Sequence, residues 1–407
     1  MSPGRVSLPA SLWRPLRSAL RVLGEDPRLV VMGAANGKRY ADNSRHLFEW
    51  LLSQRPDLEP IWLTRSRQVF DSLKRSGRPV ALASTWSGMR ALARARVGVY
   101  TNSLYDLALS PFLVPERLQL IALRHGKSVK KVRFAQAEQT SSQRQLAERR
   151  FECSRVRYAI STSEFISDFQ ETSLRIGRHK HIVTGYPRND ALLHPTSEMR
   201  ELWGAYLGNL RPLKVVLYAP SWRHGREAAR FFPFGDFDVS ALVEYLRSRA
   251  LLLLLRPHPN DAQAFPAMMT YLNQLSTDPD VIRVASHEAL PDVHSVLPFI
   301  DILVSDYSSL YHDFLLLDRP MMFVPYDYEE YNRHNGFHYD YMANLPGPAI
   351  STMAEFIGDL EMLLEGQDGF GERRLSLAGR VHAFRDARSC ERVASLIESI
   401  VRGEDPR

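Results

Sequence analysis

Short apolar runs alternate with stretches of helical periodicity along most of this chain, and this alternation limits what the chain can fold into. Residues 28–33 and 96–100 have the length and composition of buried strands, whereas apolar residues recur at helical spacing within 44–53. The alternation of apolar runs and helical stretches is interrupted near 190–212 and then continues. Strands separated by helices lie parallel in a sheet that helices cover on both faces. The sequence therefore predicts an α/β protein with two doubly wound parallel sheets.

The length of the chain agrees with this division, because 407 residues are enough for two domains of roughly 200 residues each. We predict four parts. A basic amphipathic segment occupies 1–25, a first Rossmann-like domain 26–195, a second 196–375, and a C-terminal helix lies within 376–407.

The N-terminal segment has an apolar face bordered by cations. The residues that create it are Leu12, Leu16, Leu20, Leu23, Arg14, Arg17 and Arg21. Such a helix packs either on its own domain or on an anionic membrane surface, and the sequence leaves both open. No apolar run reaches the roughly 18 residues of a transmembrane helix, and a signal-peptide pattern is absent. We therefore expect a cytoplasmic protein, with any membrane contact peripheral and on the inner face.

Charge and cysteine content exclude several classes of protein. A formal net charge of +6 is too small an excess, on 407 residues, to indicate a nucleic-acid binder. Cys153 and Cys390 are far apart in sequence and belong to no Cys-His cluster, which argues against a disulfide scaffold and a zinc site. We therefore expect no nucleic-acid partner and no metal ligands.

Polar segments follow several predicted strands, at the sheet edge where α/β proteins bind ligands. After 118–123 comes a basic loop with His125, Gly126 and Lys127. An imidazole titrates near neutrality and can take a proton from a hydroxyl, and glycine lets a ligand approach the backbone. A solvated basic loop is the alternative interpretation.

A second polar segment follows five leucines and contains His258 between Pro257 and Pro259. The prolines hold this imidazole in a rigid, non-helical turn. Such a mount suits a positioned acid, base or phosphate ligand, but it is equally typical of a buried structural histidine.

The third segment lies where a strand ends and a helix begins, and contains Ser305, Asp306, Ser308 and Ser309. Hydroxyls and unpaired N–H groups at a helix N-terminus form an anion site, although simple N-capping explains the same residues. Upstream, residues 218–223 offer a further capping hydroxyl and a cation that could clamp a phosphate, Ser221 and Arg223.

Two further segments are ambiguous. Residues 185–190, with Arg188, are either a linker turn or a ligand contact. Residues 33–38 resemble a phosphate loop, but Arg39 stands where the loop needs Ser or Thr. This departure argues against a P-loop kinase, and the absence of a G-x-G-x-x-G sequence argues against a dinucleotide-dependent dehydrogenase.

The order of these segments resembles the CDP-glycerol glycerophosphotransferase family, which includes teichoic-acid primases and polymerases. The resemblance covers roughly 30–345 and extends to Asn43 in an early Tyr-x-Asp-Asn sequence. The matching segments, in order, are His125-Gly126, Ser161-Thr162-Ser163-Glu164, residues 185–190, residues 218–223, His258-Pro259, residues 306–309 with Asp313-Phe314, and residues 326–331 with Gly336-Phe337.

The resemblance implies a GT-B architecture, with two Rossmann-like domains facing a cleft. The first domain would present the acceptor, the second would hold the CDP donor, and the last helix would cross back to the first. The implied reaction transfers a polyol phosphate, glycerol phosphate above all, from a CDP-polyol to a hydroxyl of a cell-envelope glycan or lipid-linked acceptor, with release of CMP. Such enzymes generally need no bound cofactor or metal, although Mg²⁺ in solution could stimulate them.

The resemblance also implies roles for single residues. His125 is expected to be the general base, with His258, Arg223, Ser221, Ser305, Asp306, Ser308 and Ser309 at the donor phosphates and nucleotide. Gly126, Lys127, Arg188 and Asn43 are expected to contact the acceptor or a phosphate. The family usually has Trp-His-Gly-Thr-Pro where this chain has residues 124–128, and the added cations suit an anionic acceptor.

The sequence is also compatible with two other functions. A GT-B glycosyltransferase that uses a nucleotide sugar for surface-polysaccharide synthesis would need a similar pyrophosphate site. A non-catalytic binding module would share the fold, although the two histidines argue against it.

Overall fold

The computed structural model describes residues 22–126, 129–136, 141–223 and 227–405. The predicted N-terminal amphipathic segment lies almost wholly outside these residues. The chain forms two compact units. The first takes in the described parts of Met1–His125, Gln139–Asp190 and Asp386–Arg407, and the second those of Gly126–Glu138 and Ala191–Arg385.

These boundaries differ from the expected ones in three places. The first division falls after Asp190, inside a helix that the sequence suggests is a turn, rather than at 195. The return to the first unit begins at Asp386, ten residues later than expected. The described residues among 126–138, a segment expected in the first domain, group with the second. The reason for the last difference is long-range backbone pairing, because Lys131 N–H donates to the Gly336 carbonyl and His338 N–H donates to the Val129 carbonyl.

The first unit contains a seven-stranded sheet in the order β3-β2-β1-β4-β5-β6-β7, and the second a five-stranded sheet in the order β10-β9-β8-β11-β12. The strands of the first sheet are β1 (Asp26–Gly33), β2 (Glu59–Thr64), β3 (Val80–Leu82), β4 (Ala95–Tyr100), β5 (Gln119–Ala122), β6 (Val156–Ser161) and β7 (His181–Val183). Those of the second are β8 (Lys214–Tyr218), β9 (Leu251–Leu255), β10 (Ile282–Val284), β11 (Ile302–Ser305) and β12 (Met321–Phe323). All neighbouring strands are parallel, which confirms the predicted fold class.

Helices cover the sheets and connect their strands. The α-helices are α1 (Asp42–Gln54), α2 (Arg67–Arg75), α3 (Trp86–Arg94), α4 (Gln143–Arg155), α5 (Glu164–Leu174), α6 (Pro187–Leu193), α7 (Ser197–Leu207), α8 (Val239–Ser248), α9 (Pro259–Ala264), α10 (Pro266–Leu275), α11 (Leu310–Phe314), α12 (Tyr328–Asn335), α13 (Met353–Leu364), α14 (Gly371–Val381) and α15 (Ser389–Arg402). Within the described part of the chain, no helix combines the length and the apolar character needed to cross a bilayer.

Local sequence explains why these elements form. The five leucines of β9 are all buried, as expected for a central strand of a parallel sheet that is covered on both faces. Helix α13 begins with a capping box, in which the Thr352 hydroxyl accepts the Glu355 N–H and the Glu355 carboxylate accepts the Thr352 N–H. Each unit buries its own apolar core, formed in part by Val30 and Ile121 in the first and by Val216 and Leu253 in the second.

In both sheets the strand order reverses direction at the first strand of the unit. The first sheet does so between β1 and β4, and the second between β8 and β11. Loops that leave such neighbouring strands diverge, which opens a crevice at their carboxyl ends where ligands bind. The polar segments at 218–223 and 305–309 follow β8 and β11, and so lie at this point of the second sheet.

Candidate active site

The carboxyl ends of β8 and β11 are bound to each other by polar side chains. The Ser305 hydroxyl donates to the Ala219 carbonyl at 2.8 Å, and the Asp306 carboxylate accepts the Ser221 N–H at 2.7 Å. Both Ser305 and Asp306 are fully buried. The sequence predicts that Ser305 contacts the CDP donor. In the structure its hydroxyl hydrogen is instead bonded within the protein, where it fixes the end of the strand.

Arg223 lies between two carboxylates. Its Nη1 donates to Asp306 at 2.7 Å, and its Nε and Nη2 donate to the two oxygens of Asp327 at 2.7 and 3.0 Å. The side chain is only 4% exposed. Burial alone would lower the pKa of Arg223, but the Asp306 and Asp327 carboxylates raise it. The expected phosphate clamp is therefore, in this structure, the centre of a buried ion-pair network.

Tyrosine rings enclose this network. The Arg223 guanidinium lies 5.1–5.2 Å from the ring centroids of Tyr307, Tyr326 and Tyr331, within the range of cation–π attraction. The Tyr307 hydroxyl donates to Asp327 at 2.9 Å. Burial, followed by the nearby carboxylates, raises the pKa of Tyr307, so the phenol stays protonated. The network holds the ends of β8, β11 and β12 in a fixed arrangement.

Ser308 and Ser309 are half-buried at the end of this segment. The Ser308 hydroxyl accepts the Leu310 N–H at 3.3 Å, at the start of α11. Helix α11 has only five residues and continues as a 3-10 turn, Leu315–Leu317. The two hydroxyls, rather than a long helix dipole, are therefore the groups that this segment offers to an anion.

His258 caps α9 through its ring. Its Nδ1 accepts the Asn260 N–H at 3.2 Å, so the neutral imidazole carries its proton on Nε2. The ring stacks on Trp222, with centroids 5.7 Å apart and planes 13° from parallel. This imidazole is partly exposed and held in orientation by a cap and a stack. It can thus present an Nε2–H donor to an oxyanion.

In the first unit, the loop after β5 carries His125, whose side chain is exposed. The preceding Arg124 is buried and has a left-handed backbone, with φ of +61°. Non-glycine residues rarely adopt that conformation unless surrounding contacts impose it. The turn therefore directs the imidazole out of the strand end.

Asn43 and Arg188, expected to contact the acceptor or a phosphate, instead hold this loop. The Asn43 amide donates to the Arg124 carbonyl at 2.6 Å and accepts the Arg188 N–H at 3.1 Å. Arg188 Nη1 donates to the His125 carbonyl at 2.6 Å and to Asp42 at 2.7 Å. Both side chains are buried. They are positioning residues for His125 in this arrangement.

Gly126 lies against the serine segment of the second unit, because a Cβ atom at this position would be 3.1 Å from the Ser309 hydroxyl. A larger residue would therefore crowd that hydroxyl. Lys127 lies outside the described residues. Further along the same segment, Lys130 Nζ donates to the Tyr331 hydroxyl at 2.6 Å.

Sequence reasoning gave no role to Asp327, Tyr331, Asp190 or Asp42. The first two lie in the Tyr-rich segment 326–331, which resembled the family, and the last two lie in segments 185–190 and 40–43. The order of the family-like segments therefore pointed to the regions that contain these residues. It could not give their roles, because their hydrogen-bond partners are distant in sequence. Among the described residues, no group of three His, Cys, Asp or Glu side chains converges as a metal site would require.

The family described as CDP-glycerol:poly(glycerophosphate) glycerophosphotransferase matches residues 16–399 of this chain. The chain belongs to this family. It is accordingly a transferase, as the sequence predicted.

Individual relatives agree with the family match. A teichoic acid glycerol-phosphate transferase of Staphylococcus aureus is 26% identical over 383 residues, which cover 91% of this chain and 92% of that protein. A teichoic acid poly(glycerol phosphate) polymerase of Bacillus subtilis is 27% identical over 83% of this chain, but the match spans only 44% of the polymerase. The solved structure of the wall teichoic acid polymerase TagF superposes with a TM-score of 0.76 at 21% identity, covering 96% of this chain and 94% of that one. This likeness confirms the fold.

Proposed function

We propose that this glycerophosphotransferase moves glycerol phosphate from CDP-glycerol to a hydroxyl of a teichoic-acid-type cell-envelope acceptor, and releases CMP. The observation that carries the proposal is the family match over 16–399. The S. aureus relative, named as a glycerol-phosphate transferase, supports it, as does a TagF variant structure obtained after a soak with CDPG. These findings favour a polyol-phosphate donor over a nucleotide sugar.

The proposed chemistry is a single displacement at phosphorus. The acceptor hydroxyl oxygen attacks the β-phosphorus, its proton passes to His125, and the bond to the bridging oxygen breaks. CMP leaves with the electron pair of that bond. Exposure of the His125 imidazole supports its role as base, because an acceptor can reach it.

The donor phosphates bear the growing negative charge of this step. We propose that the Nε2–H of His258 and the hydroxyls of Ser308 and Ser309 stabilise this negative charge by donating hydrogen bonds. Ser221, Asp306 and Arg223 would act indirectly, by fixing the strand ends from which these groups project. Stimulation by Mg²⁺ is proposed for the phosphates in solution rather than for a protein-bound ion.

The acceptor and its location are the finer parts of the proposal. The cations around His125 support an anionic acceptor, such as a growing glycerol-phosphate chain or its lipid-linked primer. A lipid-linked acceptor would require the enzyme to work at the inner face of the membrane, and the basic amphipathic segment at 1–25 is the proposed contact.

A donor panel tests the function. The protein is incubated with CDP-glycerol, CDP-ribitol, UDP-glucose or GDP-mannose and a glycerol-phosphate-primed lipid acceptor, and released nucleotide is separated by chromatography. We expect CMP from CDP-glycerol. His125→Ala and His258→Ala should each lower kcat by about a hundredfold or more, whereas the exposed His179→Ala should match the wild type. Release of UDP or GDP, without CMP, would assign the chain to the sugar transferases.

A further inference from the structure

The segment 33–38, which resembles a phosphate loop in sequence, is filled by a carboxylate of the chain itself. The fully buried Asp106 accepts the Asn36 N–H at 2.5 Å. It also accepts the Thr101 and Asn102 N–H groups at 2.9 and 2.7 Å. Burial raises the pKa of Asp106 to about 7, so at neutral pH it contributes less than one full negative charge. The backbone of this loop is therefore occupied, and the loop offers an anion only its side chains.

Three cations beside this loop, Lys38, Arg39 and Arg65, form what we call the basic patch. Lys38 and Arg39 end the loop and are exposed, whereas Arg65 follows β2 and is half-buried. Over the described part of the chain, none of the three has a carboxylate within ion-pair distance. The next acidic residue along the chain, Asp42, is paired with Arg188. The basic patch therefore has a local excess of positive charge, which attracts anions.

Arg65 is held in place by packing, but its guanidinium donates to none of the described residues. Its side chain lies so close to Gly37 that a Cβ atom there would be 2.8 Å from the Arg65 Cγ. Its guanidinium carbon is 5.8 Å from the centroid of the Tyr105 ring. Other half-buried arginines of this unit, Arg55 and Arg78, each donate to a carboxylate. An oriented guanidinium with its N–H fork unused is suited to a phosphate oxyanion.

The basic patch lies at the same edge of the first sheet as His125. The sheet order places β4, β1 and β2 one, two and three strands from β5, which carries His125. Since neighbouring strands are about 4.8 Å apart, the patch and Tyr105 extend over roughly 5–15 Å from β5. A glycerol-phosphate unit has six backbone bonds and reaches roughly 7 Å, because three peptide bonds of the chain reach up to about 3.6 Å. One or two phosphates behind a hydroxyl at His125 would therefore reach the patch.

We infer that Lys38, Arg39 and Arg65 form a subsite for phosphodiester groups of the acceptor, one and two glycerol-phosphate units behind the attacking hydroxyl. The inference rests on the proposed function and specifies its acceptor as a chain that already carries glycerol phosphate. The basic patch touches no reacting atom, so it sets the affinity for the acceptor and the preference for its length. Lipid headgroups carry the same phosphodiester chemistry, and the experiment distinguishes the two sources.

Initial rates of CMP release with two soluble acceptors test the inference on the intact protein. The acceptors are short alkyl glycosides that carry one or three glycerol-phosphate units. Wild type should have a KM about tenfold lower for the three-unit acceptor, as expected when charge-assisted contacts are added. Lys38→Ala and Arg65→Ala should each reduce this preference to about twofold, through KM rather than kcat, with KM for CDP-glycerol within twofold of wild type.

Two further variants sharpen the comparison. Arg65→Lys keeps the charge but loses the planar fork, and should lie between wild type and Arg65→Ala. Lys74→Ala is the matched control for Lys38→Ala, because Lys74 is also an exposed lysine of the first unit. It lies in the last turn of α2, which leads to the start of β3 and so to the opposite edge of the sheet. Lys74→Ala should keep the wild-type preference.

The outcomes separate this inference from the proposed function. Equal KM values of wild type for the two acceptors, or an unchanged preference in both patch variants, would overturn the subsite while the function stands. Equal losses in Lys74→Ala and Lys38→Ala would show an effect of net charge alone and overturn it too. Loss of Lys38→Ala binding to phosphatidylserine vesicles, with the acceptor preference intact, would make the patch a lipid contact instead. If wild type released no CMP from CDP-glycerol with either acceptor, the proposed function itself would be contradicted.

Discussion

At the scale of single residues, Arg223 shows how a residue chosen for ligand binding can serve mainly to hold the fold. Its replacement by alanine leaves the buried Asp306 and Asp327 carboxylates without their shared partner. Breaking such a buried pair costs about 3–5 kcal/mol. We expect Arg223→Ala to lower the free energy of urea unfolding by about that amount. The exposed Arg247, which pairs with Asp278 at the surface, is the control, and Arg247→Ala should cost less than about 1 kcal/mol. Equal effects would contradict the network's role.

Asp261 gives a prediction about pH. Its side chain is fully buried, and neither oxygen has a well-aligned hydrogen-bond partner among the described residues. Burial raises the pKa of Asp261 to about 6 from 3.8, although the nearby Ala229 N–H and then the Arg223 charge lower it somewhat. The folded state therefore binds a proton more tightly than the unfolded state. Stability from this group is fully present below pH 4 and is lost as the pH rises through about 6.

Asp261→Asn removes that titration. We compare the unfolding free energy of the variant with that of wild type at pH 4 and at pH 7.5. The difference should shift in favour of the variant by about 2–3 kcal/mol between these pH values, as expected from the size of the pKa change. Urea unfolding at both pH values measures it. Asp280→Asn, at an aspartate whose side chain is 70% exposed, should show no such pH-dependent difference. A gain for Asp261→Asn that is the same at both pH values would contradict the assignment.

The residue scale also marks the limit of sequence reasoning at this site. His258 and Ser308 could be singled out because each follows a strand directly, and the structure leaves both partly exposed. The burial of Arg223 could not be foreseen, since its carboxylate partners lie 83 and 104 residues further along the chain. Asn43 and Arg188 were predicted as contact residues, but their hold on the loop after β5 could not be predicted, because they reach it from 81 and 63 residues away.

At the scale of elements, the sequence predicts the strands but not all of the segments that connect them. Residues 28–33 and 96–100 fall within β1 and β4, since buried parallel strands form continuous apolar runs. The five leucines ahead of the Pro257 turn form β9, which ends at Leu255. Residues 129–136 group with the second unit because Val129 and Lys131 pair with 336–338, which no local pattern reveals.

Helix α15 depends on a cap from a distant residue. Its own N-terminal turn provides no side-chain cap. Instead, the Asp190 carboxylate accepts the Ser389 N–H at 2.9 Å and the Cys390 N–H at 2.8 Å. This contact also gives a structural reason for an aspartate at the end of the 185–190 segment.

We expect Asp190→Ala to destabilise the protein by about 1–2 kcal/mol, the usual cost of a lost N-cap. Asp190→Asn retains one acceptor oxygen and should have an intermediate effect. Asp168→Ala, at an aspartate that is 68% exposed on α5, is the control and should change stability by less than about 0.5 kcal/mol. Thermal or urea unfolding measures all three. Identical stability of Asp190→Ala and wild type would show that the cap contributes nothing.

At the scale of the whole molecule, each sheet has its own core, and the groups proposed to bind the CDP donor, His258 excepted, follow β8 and β11. His258 belongs to the same unit, whereas the proposed base, His125, follows β5 of the first. Nucleotide binding should therefore stabilise the second core directly, because a ligand stabilises the structure that binds it by mass action. The first core has no proposed nucleotide contact of its own.

Hydrogen exchange measured with and without CDP tests this division. At about 100 times the Kd of CDP, the slowest amides of β8, β9 and β11 should exchange up to about a hundredfold more slowly, whereas those of β1 and β4 should change much less. The buried leucines of β9 are the best reporters, because global opening of the second core is needed to expose them. His125→Ala should give the same protection pattern as wild type, since the base belongs to the first unit. Equal slowing in both sheets would show instead that the two cores unfold as one cooperative structure. If the amides of neither sheet exchanged more slowly with CDP, the nucleotide would have to bind elsewhere.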